Sequence, residues 1–340
     1  MALDMAEVRR VASEKLKGVC VVCKHCNGQA CAGQVPGYGG AGTGSGFISN
    51  VEALAKVKVN LRVLHGDYEP QTGVELFGMK LSMPILGAAV AGVKVNRMPG
   101  LTEDELARAM MLGPVMAGTV GMGGDGGDSD VYDSTMKVLT EAEGLAIPVI
   151  KPRANEEIIR KALRAAELGA KAVAIDVDAA GLVNMALTGQ KVEPKTLEKI
   201  AEIVEKVKVP IILKGVMTPE DALTAVKAGA AGIVVSNHGG RAIDFTPGTA
   251  DVLPRIARAV KGKITILADG GIRSGLDVLK MLALGADAVL VGRPLAIVGA
   301  GGGPEAVKQQ LETYLAQLKV AMILTGATCV RSVPGDVIFS

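Results

Sequence analysis

From residue 83 onward, short apolar runs alternate with longer segments in which apolar residues recur at helical spacing. The apolar runs cover residues 83–90, 114–119, 146–151, 170–177, 209–214, 230–236, 264–269 and 286–292. Most are rich in valine and isoleucine and are continuous rather than alternating, which is typical of strands buried on both faces of a parallel sheet. The pattern therefore predicts eight parallel strands separated by helices.

The segments between these runs carry signals for helix starts and stops. Several helical patterns begin with Thr, Asn or Ser followed by acidic residues, and several end in Gly, as in TEDELARAMML, NEEIIRKALRAAELG and SGLDVLKMLALG. Alternating strands and helices predict an α/β protein. Eight such units fit a TIM (β/α)8 barrel better than an open doubly wound sheet, although spacing alone leaves the open sheet as an alternative.

Residues 1–50 have a different character and are expected to form a Cys- and Gly-rich N-terminal extension to a barrel that covers residues 51–340. They contain the cysteine cluster CVVCKHCNGQAC and the glycine-dense stretch PGYGGAGTGSG. The glycines at 37–46 predict a flexible loop, which leaves open a role as a lid over the pocket. Residues 61–78 are expected to form strands that close the floor of the barrel.

Composition and charge narrow the class of protein. Hydrophobic residues make up 49% and aromatic residues 2%, which suits a core of Val, Ile, Leu and Ala. The net charge of +2 is spread along helices, so it does not indicate a nucleic-acid partner. No apolar run reaches the roughly 18 residues that span a bilayer, and the first residues lack the order of a signal peptide. The sequence predicts a cytoplasmic globular protein.

Polar residues follow the ends of the predicted strands. Lys151, Asp178, Lys214 and Asp269 lie at such ends, and so does the stretch SNHGGR at 236–241. In a barrel, the carboxyl ends of the strands converge on one face, where the chemistry takes place. A single histidine is usually structural, but this convergence favours a catalytic role for His238.

The last two predicted strands end in LADGGIRSG and LVGRP. Their glycines let backbone amides approach an anion, the helix that begins at Ser274 offers its positive end, and Arg273 and Arg293 supply charge. Barrels commonly bind phosphate after strands seven and eight. Two Gly-Arg loops on adjacent strands therefore predict a phosphate site rather than ordinary turns.

Three segments resemble the FMN-dependent α-hydroxy acid oxidases and dehydrogenases, the family of glycolate oxidase and lactate oxidase. They are VPIILKG, IVVSNHGGRAIDFTPGTADVLPRIARAV and ILADGGIRSGLDVLKMLALGADAVLVGRP. The likeness is specific from about 209 to 333 and weaker back to about 50, and it does not cover the cysteine-rich start. It implies oxidation of a small L-2-hydroxy acid by an FMN enzyme, and the tetrameric assembly that is common in the family.

The resemblance also implies roles for individual residues. His238 would be the base, Arg241 would grip the substrate carboxylate, Asp178 would stabilise the imidazolium, and Lys214 would face the flavin pyrimidine edge. Histidine accepts protons well at neutral pH, and the arginine fork pairs bidentately with a carboxylate. The implied FMN contacts are Ala88, Ala89, Lys151, Lys214, Ser236, Asp269, Gly271, Arg273, Gly292 and Arg293.

The predicted substrate pocket departs from the family pattern. The family tyrosine near the N-terminus is replaced by cysteines and glycines, a further arginine is absent from DAAGLVN, and a Gln-Leu-Tyr strand end aligns with Lys151, Pro152 and Arg153. We expect Arg153 to bind the anionic substrate by its carboxylate or phosphate group. The equally weighted alternative is that Lys151 and Arg153 point away or pair with Glu156 and Glu157.

Four of the five cysteines fall in one short run, Cys20, Cys23, Cys26 and Cys31. Their C-x2-C-x2-C-x4-C spacing resembles the ferredoxin pattern and predicts a [4Fe-4S] cluster. Zinc is the alternative, with His25 replacing one cysteine, whereas disulfides are disfavoured in a cytosolic enzyme. A cluster beside a flavin would pass electrons to an acceptor protein instead of oxygen.

Two other functions stay open. One is a non-redox flavoenzyme similar to type 2 isopentenyl diphosphate isomerase, which shares the barrel and the flavin phosphate loops. The other is an electron-transfer or assembly subunit whose pocket no longer turns over. The stretch SNHGGR favours the hydroxy acid reaction, because it supplies a base and a carboxylate clamp.

Overall fold

The computed structural model describes residues 2–339 and contains a closed barrel of eight parallel strands in chain order, with the last strand paired to the first. A separate antiparallel hairpin precedes it, formed by β1 (Val74–Leu76) and β2 (Met79–Leu81). The barrel strands are β3 (Ile85–Gly87), β4 (Gly121–Gly123), β5 (Ala146–Ile150), β6 (Val173–Asp176), β7 (Ile211–Val216), β8 (Gly232–Val235), β9 (Thr265–Ala268) and β10 (Ala288–Val291). The predicted TIM barrel is confirmed.

Helices surround the barrel and also form the N-terminal segment. They are α1 (Met5–Lys15), α2 (Ser45–Lys56), α3 (Glu103–Met116), α4 (Ser129–Glu141), α5 (Asn155–Glu167), α6 (Val183–Leu187), α7 (Leu197–Lys206), α8 (Pro219–Lys227), α9 (Thr249–Val260), α10 (Gly275–Ala283) and α11 (Arg293–Thr325). Two of the three quoted N-cap signals are confirmed, since Thr102 forms a capping box with Glu105 at the start of α3 and Ser274 caps α10. The third is wrong, because Asn155 is already inside α5 and the cap position has no side-chain hydrogen bond. Helix α11 kinks at Gly303, whose φ is 64°.

The strand predicted at 114–119 is wrong, because helix α3 extends through residue 116 and strand β4 is the short sequence Gly-Met-Gly that follows. A Cβ atom at Gly121 would lie 2.0 Å from the carbonyl oxygen of Met110. Helix α3 therefore packs so closely on β4 that only glycine fits. Glycine is depleted in strands, so this strand carries no recognisable pattern.

The β1–β2 hairpin covers the N-terminal end of the barrel, where the sequence predicted strands that close the floor. Phe77 lies in its turn, and a Cβ atom at Gly232, the first residue of β8, would come within 2.8 Å of the Phe77 ring. The opposite end of the barrel is therefore left for ligands.

The N-terminal segment packs on the barrel rather than standing apart from it. Helix α1 packs against α11, and α2 packs against α9. Helix α2 runs without interruption through the domain boundary predicted at residue 50. Buried residues of α1, such as Val8 and Ala12, belong to the same hydrophobic core as the barrel strands. Within residues 2–339, no helix combines the length and the apolar character that crossing a membrane requires.

Candidate active site

A cavity opens at the carboxyl ends of the barrel strands. It includes all but one of the flavin contacts expected from the sequence, namely Ala88, Ala89, Lys151, Lys214, Asp269, Gly271, Arg273, Gly292 and Arg293. The exception is Ser236, which is fully buried behind the wall, where its hydroxyl donates to Asp269 over 2.8 Å. The residues that the resemblance implied as flavin contacts therefore lie around one cavity or directly behind its wall.

His238 projects into this cavity from the loop after β8. Its φ of 60° is left-handed, and its backbone amide donates to Ser236 Oγ over 3.0 Å. The neighbouring Asn237 fixes the loop, because its side chain donates to the carbonyl oxygen of Gly46 and accepts from Asn50 of helix α2. The stretch SNHGGR is therefore a turn that is held by α2 and presents one imidazole.

Asp178 lies behind that imidazole, with its Oδ1 atom 2.9 Å from Nδ1 of His238. Space for this carboxylate comes from Gly215 of β7, whose φ is 108°. A Cβ atom there would come within 2.5 Å of the Asp178 side chain. Asp178 leaves its second oxygen buried without a hydrogen-bond partner. The pairing orients the ring so that Nε2 is free to act on a substrate.

Asp176, the last residue of β6, is a second carboxylate that the sequence reasoning missed. It accepts from Lys151 Nζ at 2.6 Å and from Lys214 Nζ at 3.0 Å, and it lies 3.4 Å from Nδ1 of His238. Burial alone would raise the pKa of Asp176, but His238, Lys151 and Lys214 together hold that pKa well below its ordinary value. The rule that selected Asp178 would also have selected this strand-end residue.

Three arginines lie near the phosphate loops and the mouth of the cavity. Arg241, Arg273 and Arg293 donate to backbone carbonyl groups, and none of them forms an ion pair with a carboxylate of residues 2–339. Burial lowers the pKa of Arg241, and burial together with Arg241 lowers that of Arg293. Guanidinium groups nevertheless stay charged at neutral pH, so the site has positive charge that an anion would balance.

Tyr38 also lines the cavity, which corrects the expectation that cysteines and glycines alone replace the N-terminal tyrosine of the family. Its hydroxyl is buried without a hydrogen-bond partner, and burial raises its pKa. Arg241 reaches the same wall, where it donates to the carbonyl oxygen of Gly37 and, over 3.0 Å, to Asn96. Tyr38 and the Arg241 cation thus lie on the same side of the cavity.

Arg153 does not line the cavity, so its position fits the alternative expectation, a pair with Glu157, and not the expected role in substrate binding. Its side chain is only 4% exposed and forms a buried ion pair with Asp125, which also binds Lys161 at 2.8 Å. Arg153 lies 3.3 Å from Glu157 as well. A carboxylate in the glycine-rich loop after β4 thus holds this guanidinium away from the ligand, whereas Lys151 does reach the cavity.

The residues present fit FMN. Glycines line the side where the phosphate would bind, and the unbalanced arginines provide its counter-charge. Asp269 has a buried Oδ1 atom without a partner, which suits a sugar-like hydroxyl group. Lys214 lies in β7, where burial acts to lower its pKa. The carboxylates of Asp176, Asp178 and Asp269 outweigh that effect, so the pKa is raised and Lys214 remains a cation.

The four clustered cysteines line a second, smaller cavity. All of them are free thiols, so no disulfide competes for their sulfur atoms. Tyr38 and Arg293 line both cavities. The expected metal site is therefore separated from the flavin site by these two side chains.

The family model described as FMN-dependent dehydrogenase matches residues 37–187 and 181–339. Over 127 residues the chain is 55% identical to an L-lactate dehydrogenase of Xanthomonas campestris pv. campestris (strain B100), which covers 37% of this chain and 33% of that protein. An L-lactate dehydrogenase of Pseudomonas aeruginosa (strain UCBPP-PA14) is 52% identical with the same coverage. These alignments span about a third of the curated relatives.

Solved structures of mandelate oxidase match over the whole chain. The complex with (S)-2-phenylpropionate gives a TM-score of 0.79 at 30% identity, covering 100% of this chain and 98% of that one. A variant with (S)-mandelic acid gives 0.80 at 30% identity and the same coverage. The same variant with an FMN adduct gives 0.77 at 30% identity, covering 97% of each chain. The chain therefore belongs to the FMN-dependent dehydrogenase family.

Proposed function

We propose that the protein oxidises a small L-2-hydroxy acid to the 2-oxo acid with FMN as its cofactor. The observation that carries this proposal is the pair formed by His238 and Asp178, which faces a cavity that also contains Arg241. Bound FMN would accept the two electrons and one of the two protons that leave the substrate. The named relatives, L-lactate dehydrogenase and mandelate oxidase, support a substrate of this class.

The side chains divide the work between holding the substrate and moving its proton. Arg241 and the unpaired hydroxyl of Tyr38 bind the carboxylate, and together they fix the carbon that is oxidised. Nε2 of His238 takes one proton, since Nδ1 is already occupied by Asp178. Asp178 stabilises the resulting imidazolium. Lys214 offsets the negative charge that collects on the cofactor side of the cavity.

We further propose that the four clustered cysteines bind a [4Fe-4S] cluster, which receives the electrons and passes them to an acceptor protein. All four thiols face one cavity, and the cation Arg293 lies in its wall. Only Tyr38 and Arg293 belong to both cavities, so the distance between the two cofactors would be short.

The sequence spacing of the cysteines favours a cluster over a single zinc ion, because C-x2-C-x2-C-x4-C resembles the ferredoxin pattern. Zinc bound by the same thiolates is the alternative.

Absorption spectra of the anaerobically purified protein test the proposal. We expect flavin bands over a broad iron-sulfur shoulder, and bleaching of the flavin bands on addition of L-lactate or (S)-mandelate. His238→Asn should bind flavin but bleach far more slowly. Flavin bands that no 2-hydroxy acid bleaches would contradict the reaction, and flavin without iron would contradict the cluster.

No observation favours the two alternative functions. An isomerase of allylic diphosphates needs no hydroxy acid base, whereas Asp178 and His238 are placed as an acid-base pair. A subunit without turnover would have no need of that pair. Isomerisation of an allylic diphosphate without net redox change would support the isomerase instead.

A further inference from the structure

Arg273 connects the phosphate loop to the cysteine segment. Its Nε and Nη2 atoms donate to the carbonyl oxygen of Cys26 over 3.0 and 2.8 Å. Nη2 also lies 3.6 Å from the Cys26 sulfur. The same residue lines the larger cavity, just before the N-terminus of α10. One guanidinium therefore contacts a proposed metal ligand and lies beside the proposed phosphate site.

Arg293 makes a second connection of the same kind. It donates to the carbonyl oxygen of Tyr38 over 2.6 Å and to that of Gly39 over 2.9 Å, both in the segment that follows the cysteines. Arg293 also donates to the carbonyl oxygen of Gly239, the residue after His238, over 2.9 Å. The guanidinium thus bridges the cysteine segment and the catalytic loop.

Phe47 of helix α2 holds the two arginines together. Its ring centroid lies 3.8 Å from the guanidinium carbon of Arg293 and 5.8 Å from that of Arg273. The ring also packs on the cysteine segment, because a Cβ atom at Gly28 would come within 2.8 Å of it. A shift of the cysteine segment would therefore move the ring and both arginines.

The positive charge of Arg273 and Arg293 indicates that this connection binds anions. Neither arginine forms an ion pair with a carboxylate of residues 2–339, and both donate to backbone carbonyl groups, so a bound anion would add counter-charge that the protein does not supply. A thiolate-ligated metal centre on one side and a phosphate on the other would supply that charge. Either ligand fixes the arginines in the position that the other ligand needs, which lowers the ordering cost of the second binding event.

We infer that the metal centre and the flavin phosphate bind cooperatively, and that Arg273 and Arg293 are the positioning residues that couple them. The inference rests on the function proposed above. Thermodynamic linkage requires reciprocity, so metal at the four cysteines strengthens FMN binding by the same factor by which FMN strengthens metal retention.

The test compares FMN affinity with and without the metal. Iron and zinc are first quantified by mass spectrometry, and FMN is then titrated anaerobically by its fluorescence against metal-loaded protein and against protein stripped with a chelator. We expect the dissociation constant to rise about tenfold or more on stripping, a coupling within the usual range. Cys31→Ser removes one metal ligand but keeps Cys26, so it should reproduce the weaker binding without chemical treatment.

Arg273→Gln separates coupling from simple loss of structure. Its FMN affinity should be lower overall, but the ratio between stripped and loaded protein should fall toward one. Arg258→Gln, at an exposed arginine of helix α9, should keep the wild-type ratio. The reciprocal measurement is the rate at which a chelator removes the metal, which added FMN should slow in wild type and not in Arg273→Gln.

The outcomes distinguish this inference from the proposed function. A loaded protein whose FMN affinity does not change on stripping overturns the coupling and leaves the hydroxy acid reaction and the cluster standing. A wild-type ratio in Arg273→Gln likewise removes this arginine from the link. Protein that binds FMN but neither iron nor zinc overturns the cluster and the coupling together.

Discussion

Nδ1 of His238 lies 2.9 Å from Oδ1 of Asp178 and 3.4 Å from Oδ1 of Asp176, so two carboxylates approach one side of the same imidazole. Their surroundings differ. Asp176 shares its charge with Lys151 and Lys214, whereas Asp178 forms an ion pair with His238 alone among the described residues. Asp178 is therefore the carboxylate that is free to stabilise a positive charge on the ring.

Asp178→Asn should slow the chemical step without releasing the cofactor. The amide can still bond Nδ1 but cannot offset the imidazolium charge. We expect the rate constant of flavin reduction to fall about 100-fold or more, within the range that positioned acid-base groups contribute. Anaerobic stopped-flow measurement with L-lactate checks this. Asp133→Asn, at an exposed residue that pairs with Arg164, should keep the wild-type rate, and an equal loss in both variants would argue against a specific role.

Tyr38→Phe should weaken substrate binding while leaving the fold intact. The lost hydroxyl has no partner in the structure, so its removal breaks no hydrogen bond within the protein. Losing one hydrogen bond to a carboxylate costs about 1.5 kcal/mol, which predicts a KM about tenfold higher. Urea unfolding of the substrate-free protein should show a free energy that is not reduced.

Tyr68→Phe is the matched control for this variant, because the hydroxyl of Tyr68 already donates to the carbonyl oxygen of Met322 over 3.0 Å. It should lose stability slightly and keep the wild-type KM. An unchanged KM in Tyr38→Phe would mean that Arg241 binds the carboxylate without help from this hydroxyl.

Arg153→Met should destabilise the protein without changing substrate affinity. The substitution leaves Asp125 buried with Lys161 and the backbone amide of Lys151 as its remaining partners. Breaking a buried ion pair costs about 3–5 kcal/mol, and we expect about 3 kcal/mol because Lys161 stays. Urea unfolding gives the loss, and the substrate dependence of flavin reduction gives the affinity. Arg160→Met, on the exposed face of helix α5, should change neither quantity, whereas weaker substrate binding in Arg153→Met would restore the role first expected of it.

The barrel was predictable because strands buried on both faces must be apolar, and runs such as 146–150 and 211–216 show this plainly. Strand β4 escaped prediction because helix α3 packs so closely that glycine is required at Gly121, and glycine carries no strand signal. Close backbone approach thus removed the pattern that identifies the other strands.

The predicted residues that line the cavity converge because they lie in or just after the carboxyl ends of strands of the same barrel. The sequence did not predict the contacts that some of the predicted site residues make with side chains from distant loops. Asp125 lies in a glycine-rich turn and captures Arg153, and Asn96 accepts a hydrogen bond from Arg241 across 145 residues of sequence. Tyr38 lies among glycines that predict a flexible loop, although it is 4% exposed. Neither composition nor spacing records such pairings.

Asp269→Asn should make the flavin-free protein more stable at neutral pH and weaken its affinity for FMN. Burial raises the pKa of Asp269 above its ordinary value of 3.8, although Lys214 and Ser236 act in the opposite direction. The folded protein therefore holds this proton to a higher pH than the unfolded chain does, and the ionised carboxylate costs stability above the folded pKa. The neutral amide avoids that cost.

The sign of the pH dependence follows from the same pKa. As the pH falls from neutrality through the raised pKa toward 3.8, wild-type Asp269 becomes protonated and the stability gap to Asp269→Asn should shrink. Urea unfolding of flavin-free protein at several pH values measures this gap, and Asp251→Asn, at an exposed residue, should show no such trend. Loss of a charge-assisted bond worth roughly 1 kcal/mol should weaken FMN binding about fivefold. A stability gap that widens in acid would mean that the folded protein stabilises the ionised carboxylate. Asp269 would then not lower the stability of the flavin-free protein.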